Sequence, residues 1–197
     1  MCRTFFYVNQ INNCGRNMQY FLKNIAKKLV FGSILIYNYK VIRVKEEIYM
    51  VTLDKIYHAS YVLKDVVIPT PLVKATAISD DCEVYLKPEN LQITGSFKVR
   101  GSGYKISQLT EEEKKRGVIA CSAGNHAQGV ALAATKYGIK SLICLPDGAP
   151  ISKVEATKGY GAEVCMVPGV YDDAYNKACE LRDEHNYTFI HPFDDEN

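Results

Sequence analysis

The chain has 197 residues, 47% of them hydrophobic, with a formal charge of +2, enough apolar content for a sizeable core in one domain or two small ones. The charge is uneven: residues 1–49 carry 8 Lys/Arg against 2 Asp/Glu, and residues 50–197 carry 16 against 20. The mildly acidic body argues against non-specific nucleic-acid binding, which draws on clustered positive charge. Seven cysteines, at positions 2, 14, 82, 121, 144, 165 and 179, include no C-x-x-C and no histidine at metal-ligand spacing. They read as small hydrophobes of a reducing, cytoplasmic setting, with no metal site.

Residues 1–49 contain no Pro, no Asp and one Ala, while 26 of them are Asn, Ile, Lys, Tyr or Phe, amino acids that share A/T-rich codons. Two readings stand: translated upstream sequence, or a basic amphipathic arm docked on the body or on a membrane surface. The longest apolar run there, "LVFGSILIY", has nine residues, about half of what a bilayer span needs. Lysines precede it but no small-residue cleavage pattern follows, so neither a membrane span nor a targeting signal is expected, and the extension is given no part in function.

From Met50 the elements become regular. "VTLDKIYHASYVLKDVV" places Leu53, Ile56, Tyr57, Ala59, Val62 and Leu63 at helical spacing behind a candidate N-cap, Thr52. "IPTPL" breaks the helix, and "CEVYLKPE" predicts a strand ended by Pro88. A helix is predicted from near Ser96 toward Leu109 with Lys98 in its first turn, then a capped solvated helix in "TEEEKKRG", stopped by Gly117.

In "ITGSFKVRGSG" the phosphate-loop reading fails, because Phe97 rather than glycine precedes Lys98. Two readings of Lys98 remain from the residues: a surface charge, or an amine partly desolvated beside an aromatic ring and able to act as a nucleophile.

Beyond Gly117, strands and helices alternate: "VIACS", "NHAQGVALAATKYG", "SLICLP", "SKVEATKGYG", "AEVCMVP", "YDDAYNKACELRDEHN" and "TFIHPF". Strands this apolar, alternating with helices, predict an α/β unit with a parallel sheet covered on both faces. Ligands of such sheets collect at the carboxyl ends of strands. The first strand ends in "CSAGNHAQG", where Ser122, Gly124 and Asn125 occupy the strand-to-helix turn. Free backbone amides and the helix dipole there suit a carboxylate. The plain alternative is that Ser122 or Asn125 caps the helix and His126 is a satisfied polar residue.

"KPENLQITGSFKVRG" followed by "CSAGNHAQGVA" resembles the fold-type II pyridoxal phosphate enzymes, in their threonine/serine dehydratase branch. "DGAPISKVEATKGYGAEV" and "HPFDDEN" extend the likeness from about Met50 to the C-terminus. The resemblance implies that Lys98 is the Schiff-base lysine and catalytic base, that Phe97 packs on the cofactor ring and that Asn125 hydrogen-bonds its 3-hydroxyl. It further implies that Ser122, Gly124, Asn125 and His126 grip the substrate carboxylate. The implied reaction is deamination of threonine to 2-oxobutanoate and ammonia, and of serine to pyruvate. His126, where sulfhydrylases and threonine synthases carry Thr, is similar to the dehydratases. Ala123 stands where serine racemases place an acid/base serine, which disfavours racemisation.

The resemblance divides the chain into an extension (1–49), part of a large cofactor-binding domain (50–116) and a small α/β domain (117–197). Family members continue past this region into a glycine-rich loop that binds the cofactor phosphate, and no tetraglycine run occurs here. Two expectations follow: a dehydratase fragment whose chemistry needs a C-terminal chain in trans, or a non-catalytic remnant that folds, exposes an apolar face and binds a partner chain or nothing. Relatives form dimers or tetramers, so a homo-oligomer is the other implied partner.

Overall fold

The computed structural model describes residues 3–8, 52–77 and 83–193, the first six as backbone. Seven strands and six α-helices lie in these ranges: β1 (Arg3–Val8), α1 (Leu53–Val62), β2 (Val73–Lys74), β3 (Glu83–Pro88), α2 (Lys98–Ser107), α3 (Glu111–Arg116), β4 (Val118–Cys121), α4 (Asn125–Lys136), β5 (Ser141–Pro146), α5 (Ile151–Gly159), β6 (Glu163–Val167), α6 (Tyr171–His185) and β7 (Thr188–Phe189). They form two sheets, ordered β1-β3-β2 and β6-β5-β4-β7.

The four-stranded sheet is parallel throughout, as the alternating pattern predicts. Side chains of successive strand residues point to opposite faces, and the packing follows that period of two. Val118, Ala120, Ile143 and Leu145 join Val130, Ala131 and Ala134 of α4 and Val154 of α5 in one buried cluster. Ile119, Cys121 and Cys144 turn the other way, onto Ala174 and Ala178 of α6. The strand cysteines are core residues, as their apolar settings suggest.

Local chemistry explains the element ends. Thr52 caps α1, its Oγ1 accepting from the Lys55 amide at 3.3 Å. At α3, Thr110 Oγ1 accepts from the Glu113 amide while Glu113 Oε2 accepts from the Thr110 amide, and the helix stops at Gly117 with φ 96°. The apolar stripe of α1 forms as a helix but leaves Leu53, Ile56, Tyr57 and Tyr61 exposed.

Two features depart from the sequence reading. The last strand is only Thr188–Phe189, paired with Val118 and Ile119, and His191, Pro192 and Phe193 leave the sheet. Within the extension, Arg3–Val8 pairs in parallel with β3, so that stretch joins the smaller sheet; the rest of residues 1–49 lies outside the described residues. Among the described residues no helix is long and apolar enough to cross a membrane.

The contact that positions the site lies between α2 and α4. A Cβ on Gly129 would stand 2.9 Å from Ser102 Oγ and 3.0 Å from the Lys98 carbonyl carbon and the Val99 nitrogen. Only glycine permits this approach, which sets the first turn of α2 directly against α4.

Candidate functional site

Lys98 is the first residue of α2, and the loop before it is tied down at several points. Glu89 is fully buried and accepts two hydrogen bonds from Arg100, at 2.7 and 2.8 Å, and one from Thr70 Oγ1 at 2.5 Å. Gln92 uses its carboxamide on both the amide and the carbonyl of Ile68, each at 2.9 Å. Gly95, at φ 67°, makes the turn, and its amide donates to the Gln92 carbonyl at 2.7 Å. Arg100 lies in the first turn of α2, so the pair with Glu89 orients the residues around Lys98.

The Lys98 amine is half-buried. Its Nζ donates to the Pro192 carbonyl at 2.7 Å and lies 5.5 Å from the Phe97 ring centre and 4.9 Å from that of Phe193. Burial disfavours the charged form and pulls its pKa below the usual lysine value. A neutral amine is the nucleophilic and basic form, so this environment favours covalent or proton-transfer chemistry over a solvated charge.

Opposite Lys98 is the turn from β4 into α4. The Ser122 amide donates to the Cys144 carbonyl at 3.2 Å and the Gly124 amide to Ser122 Oγ at 3.2 Å. The expectation that these two amides stand free is therefore corrected: one completes the sheet and the other closes the turn. Amides in the first turn of α4 lack intrahelical acceptors, and Ser122 Oγ keeps its hydroxyl hydrogen. Asn125 opens α4, and its Oδ1 accepts from Lys153 Nζ at 3.1 Å.

His126 is buried, with Nε2 2.9 Å from the Ile190 carbonyl. Burial, reinforced by the charges of Lys98 and His191, lowers its pKa to about 4, so it is neutral near pH 7 with the proton on Nε2. The lone pair on Nδ1 cannot donate to a carboxylate. Its side chain serves the fold, and its backbone amide lies in the first turn of α4.

Two cavities meet at Lys98. The larger, about 340 Å³, is lined by Phe97, Lys98, Lys105, His126 and His191 among others, and the described residues that line it include two lysines and two histidines. The smaller, about 160 Å³, is lined by Lys98, Cys121, Ser122, Asn125, His126 and Tyr171, and both share Pro192 and Phe193. Five of the six expected site residues thus line one connected region, while Gly124 lines neither cavity and acts in the turn. Pro192, Phe193, Tyr171 and Lys153 are additions. Lys153 carried a signal: a cation in the first turn of a helix, where the dipole disfavours it.

The sequence matches the family model described as pyridoxal-phosphate dependent enzyme over residues 63–197. It is 49% identical over 148 residues to an L-threonine ammonia-lyase of Thermotoga maritima, covering 74% of this chain and 37% of that protein. The fold is similar to processed threonine deaminase isoform 2 of Solanum lycopersicum, with a TM-score of 0.66, 36% identity, and coverage of 74% and 44%. It is also similar to serine racemase of Dictyostelium discoideum, with a TM-score of 0.69, 36% identity, and coverage of 74% and 48%. The chain spans less than half the length of each of these proteins.

Proposed function

The chain belongs to the pyridoxal-phosphate dependent enzymes, and from that premise we propose that its site serves the deamination of threonine, and of serine, to 2-oxobutanoate or pyruvate with release of ammonia. The observation that carries this reading is Lys98: a half-buried amine with a lowered pKa, between two aromatic rings, facing a helix N-terminus.

The residues fit the cofactor. An amine for its aldehyde, an aromatic ring beside that amine, an Asn125 Nδ2 without a protein partner among the described residues, and a cavity that Lys98 and Lys105 line suit an anionic pyridine. Lys98 would hold the aldehyde carbon covalently, Phe97 would pack on the ring and Asn125 would donate to its 3-oxygen. When bound, pyridoxal phosphate supplies an electron sink for the charge left at the substrate Cα.

The chain's own residues then divide the work. The substrate carboxylate would be held by the Ser122 hydroxyl and the first-turn amides of α4, including that of His126, with the helix dipole assisting. Gly124 leaves that approach open, since it has no side chain and nothing lies within 4 Å of where a Cβ would stand. With the substrate amine in its place on the aldehyde carbon, the freed Nζ of Lys98 would take the Cα proton as general base and, as the ammonium, would be the source of the proton with which the β-hydroxyl departs as water. Ala123 offers no group to return a proton from the opposite face, which favours elimination over the racemisation of the structural neighbour. The implied location is cytoplasmic.

The test begins by adding pyridoxal phosphate to the chain alone and to the chain mixed with the remaining C-terminal part of a relative. A visible absorption band, borohydride-stable pyridoxyl mass on the peptide containing position 98, and loss of both in Lys98→Ala support the reading. Ammonia and 2-oxo acid formation from threonine and serine then tests turnover. No label at position 98 under either condition refutes the assignment, and label without turnover in the mixture leaves a cofactor-binding remnant.

A further inference from the structure

Lys153 is the third residue of α5, in its first turn, where the helix dipole opposes a positive charge. No carboxylate among the described residues compensates it. Its Nζ reaches out of its own helix to Asn125 Oδ1, 3.1 Å away and 28 residues earlier in the chain. The stem is half-buried, and the Lys153 carbonyl accepts from Thr157 Oγ1 at 2.8 Å, which holds the base of the residue in place.

A carboxamide has one acceptor end and one donor end. An ammonium group can only donate, so it selects the oxygen of Asn125 and excludes the flipped orientation. Nδ2 is then the end left for the smaller cavity, and the positive charge on the oxygen polarises the amide and strengthens its N–H as a donor. Without Lys153 nothing in this contact distinguishes the two orientations.

Resting on the functional reading above, we propose that Lys153 is a positioning residue for Asn125, committing its Nδ2 to donate a hydrogen bond to an ionised oxygen on the cofactor ring. Lys153 touches neither substrate nor reacting atoms in this scheme; it acts through Asn125. A lysine is suited to this work because the three donors of its ammonium have no acceptor alternative.

The test has two parts, carried out with Lys153→Met, Lys153→Arg, Asn125→Ala and the double variant Lys153→Met/Asn125→Ala. In the cofactor-free chain, the side-chain carboxamide NMR signals of Asn125 are expected to move in Lys153→Met and to be largely retained in Lys153→Arg, with unchanged thermal unfolding. Pyridoxal phosphate is then titrated into each protein, with the C-terminal part of a relative present if uptake requires it. Lys153→Met is expected to weaken uptake roughly fivefold to tenfold and to shift the visible band toward the form with a protonated ring hydroxyl, with Lys153→Arg restoring both. In the Asn125→Ala background the same change is expected to have no effect. Additive losses in the double variant, or an Asn125 signal indifferent to Lys153→Met, overturn the positioning role while leaving the functional reading intact. Failure of the unmodified protein to label at Lys98 overturns the functional reading, and the cofactor-directed role with it.

Discussion

The Nζ of Lys98 and the carbonyl oxygen of Pro192 are 2.7 Å apart, although 94 residues separate them in the chain. The contact joins the first turn of α2 to the segment that leaves the sheet after β7, and it holds the amine where burial lowers its pKa. A lowered pKa means more neutral amine at any given pH. Acylation or reductive methylation of Lys98, followed by mass spectrometry across a pH series, is expected to reach half its maximal rate below the ordinary lysine value of 10.5. A profile matching free lysine would remove the desolvation argument.

The buried imidazole of His126 makes stability depend on pH. Its folded pKa is about 4 against an ordinary 6.5, with burial the largest cause and the hydrogen bond to Ile190 opposing it. Above about pH 6.5 neither folded nor unfolded chain carries the proton; between 6.5 and 4 the unfolded chain binds it and the folded chain does not. Stability therefore falls as pH drops through that window, by roughly 3 kcal/mol from this residue. Urea unfolding at pH 7 and pH 4.5 should show a smaller loss for His126→Gln than for the unmodified chain.

The close approach at Gly129 predicts a size limit. Gly129→Ala places a methyl against Ser102 Oγ and the backbone of Lys98 and Val99, so α2 and α4 must separate, at a cost of about 1 to 3 kcal/mol. Since Lys98 and Asn125 sit on those two helices, pyridoxyl labelling at Lys98 should fall as well. Gly101→Ala is the control: nothing lies within 4 Å of its added Cβ, and removing a helical glycine should leave stability equal or slightly raised. Thermal melts of both variants check this.

The Glu89 and Arg100 pair predicts a non-additive result. Burial pushes the Glu89 carboxyl up, but hydrogen bonds from Arg100 and Thr70 and the charges of Arg100 and Lys87 hold it below the usual range. Arg100→Met leaves that carboxylate buried without its main partner, costing about 3 kcal/mol. Glu89→Gln/Arg100→Met removes the stranded charge and should recover much of the loss in denaturant unfolding.

The parallel sheet was legible because each strand is a short apolar run and each helix has its own cap or glycine stop, signals contained within a few residues. Lys98 in a first helical turn and Gly117 as a terminator were legible for the same reason. The contacts of Lys153 and Pro192 were not, since each depends on a partner 28 or 94 residues away that only packing brings near. The last strand ended early because, after the Thr188 and Ile190 amides have donated to Gly117 and Ile119, the next rung falls on Pro192, which has no N–H to continue the ladder. The stripe on α1 was legible as a helix, but periodicity says nothing of what covers it, and Leu53, Ile56, Tyr57 and Tyr61 remain open to solvent.

The strand order gives the ligand region unequal walls. On one side the turn at Ser122 grows from β4, an interior strand with all four residues buried and a neighbour on each edge. On the other, Pro192 and Phe193 follow a strand of two paired residues at the sheet margin. In deuterium exchange the amides of β4 should be among the slowest and those of His191 and Phe193, beyond the ladder, among the quickest to be replaced. Entry of a small molecule would then begin by local release of the marginal side, while the turn at Ser122 stays still.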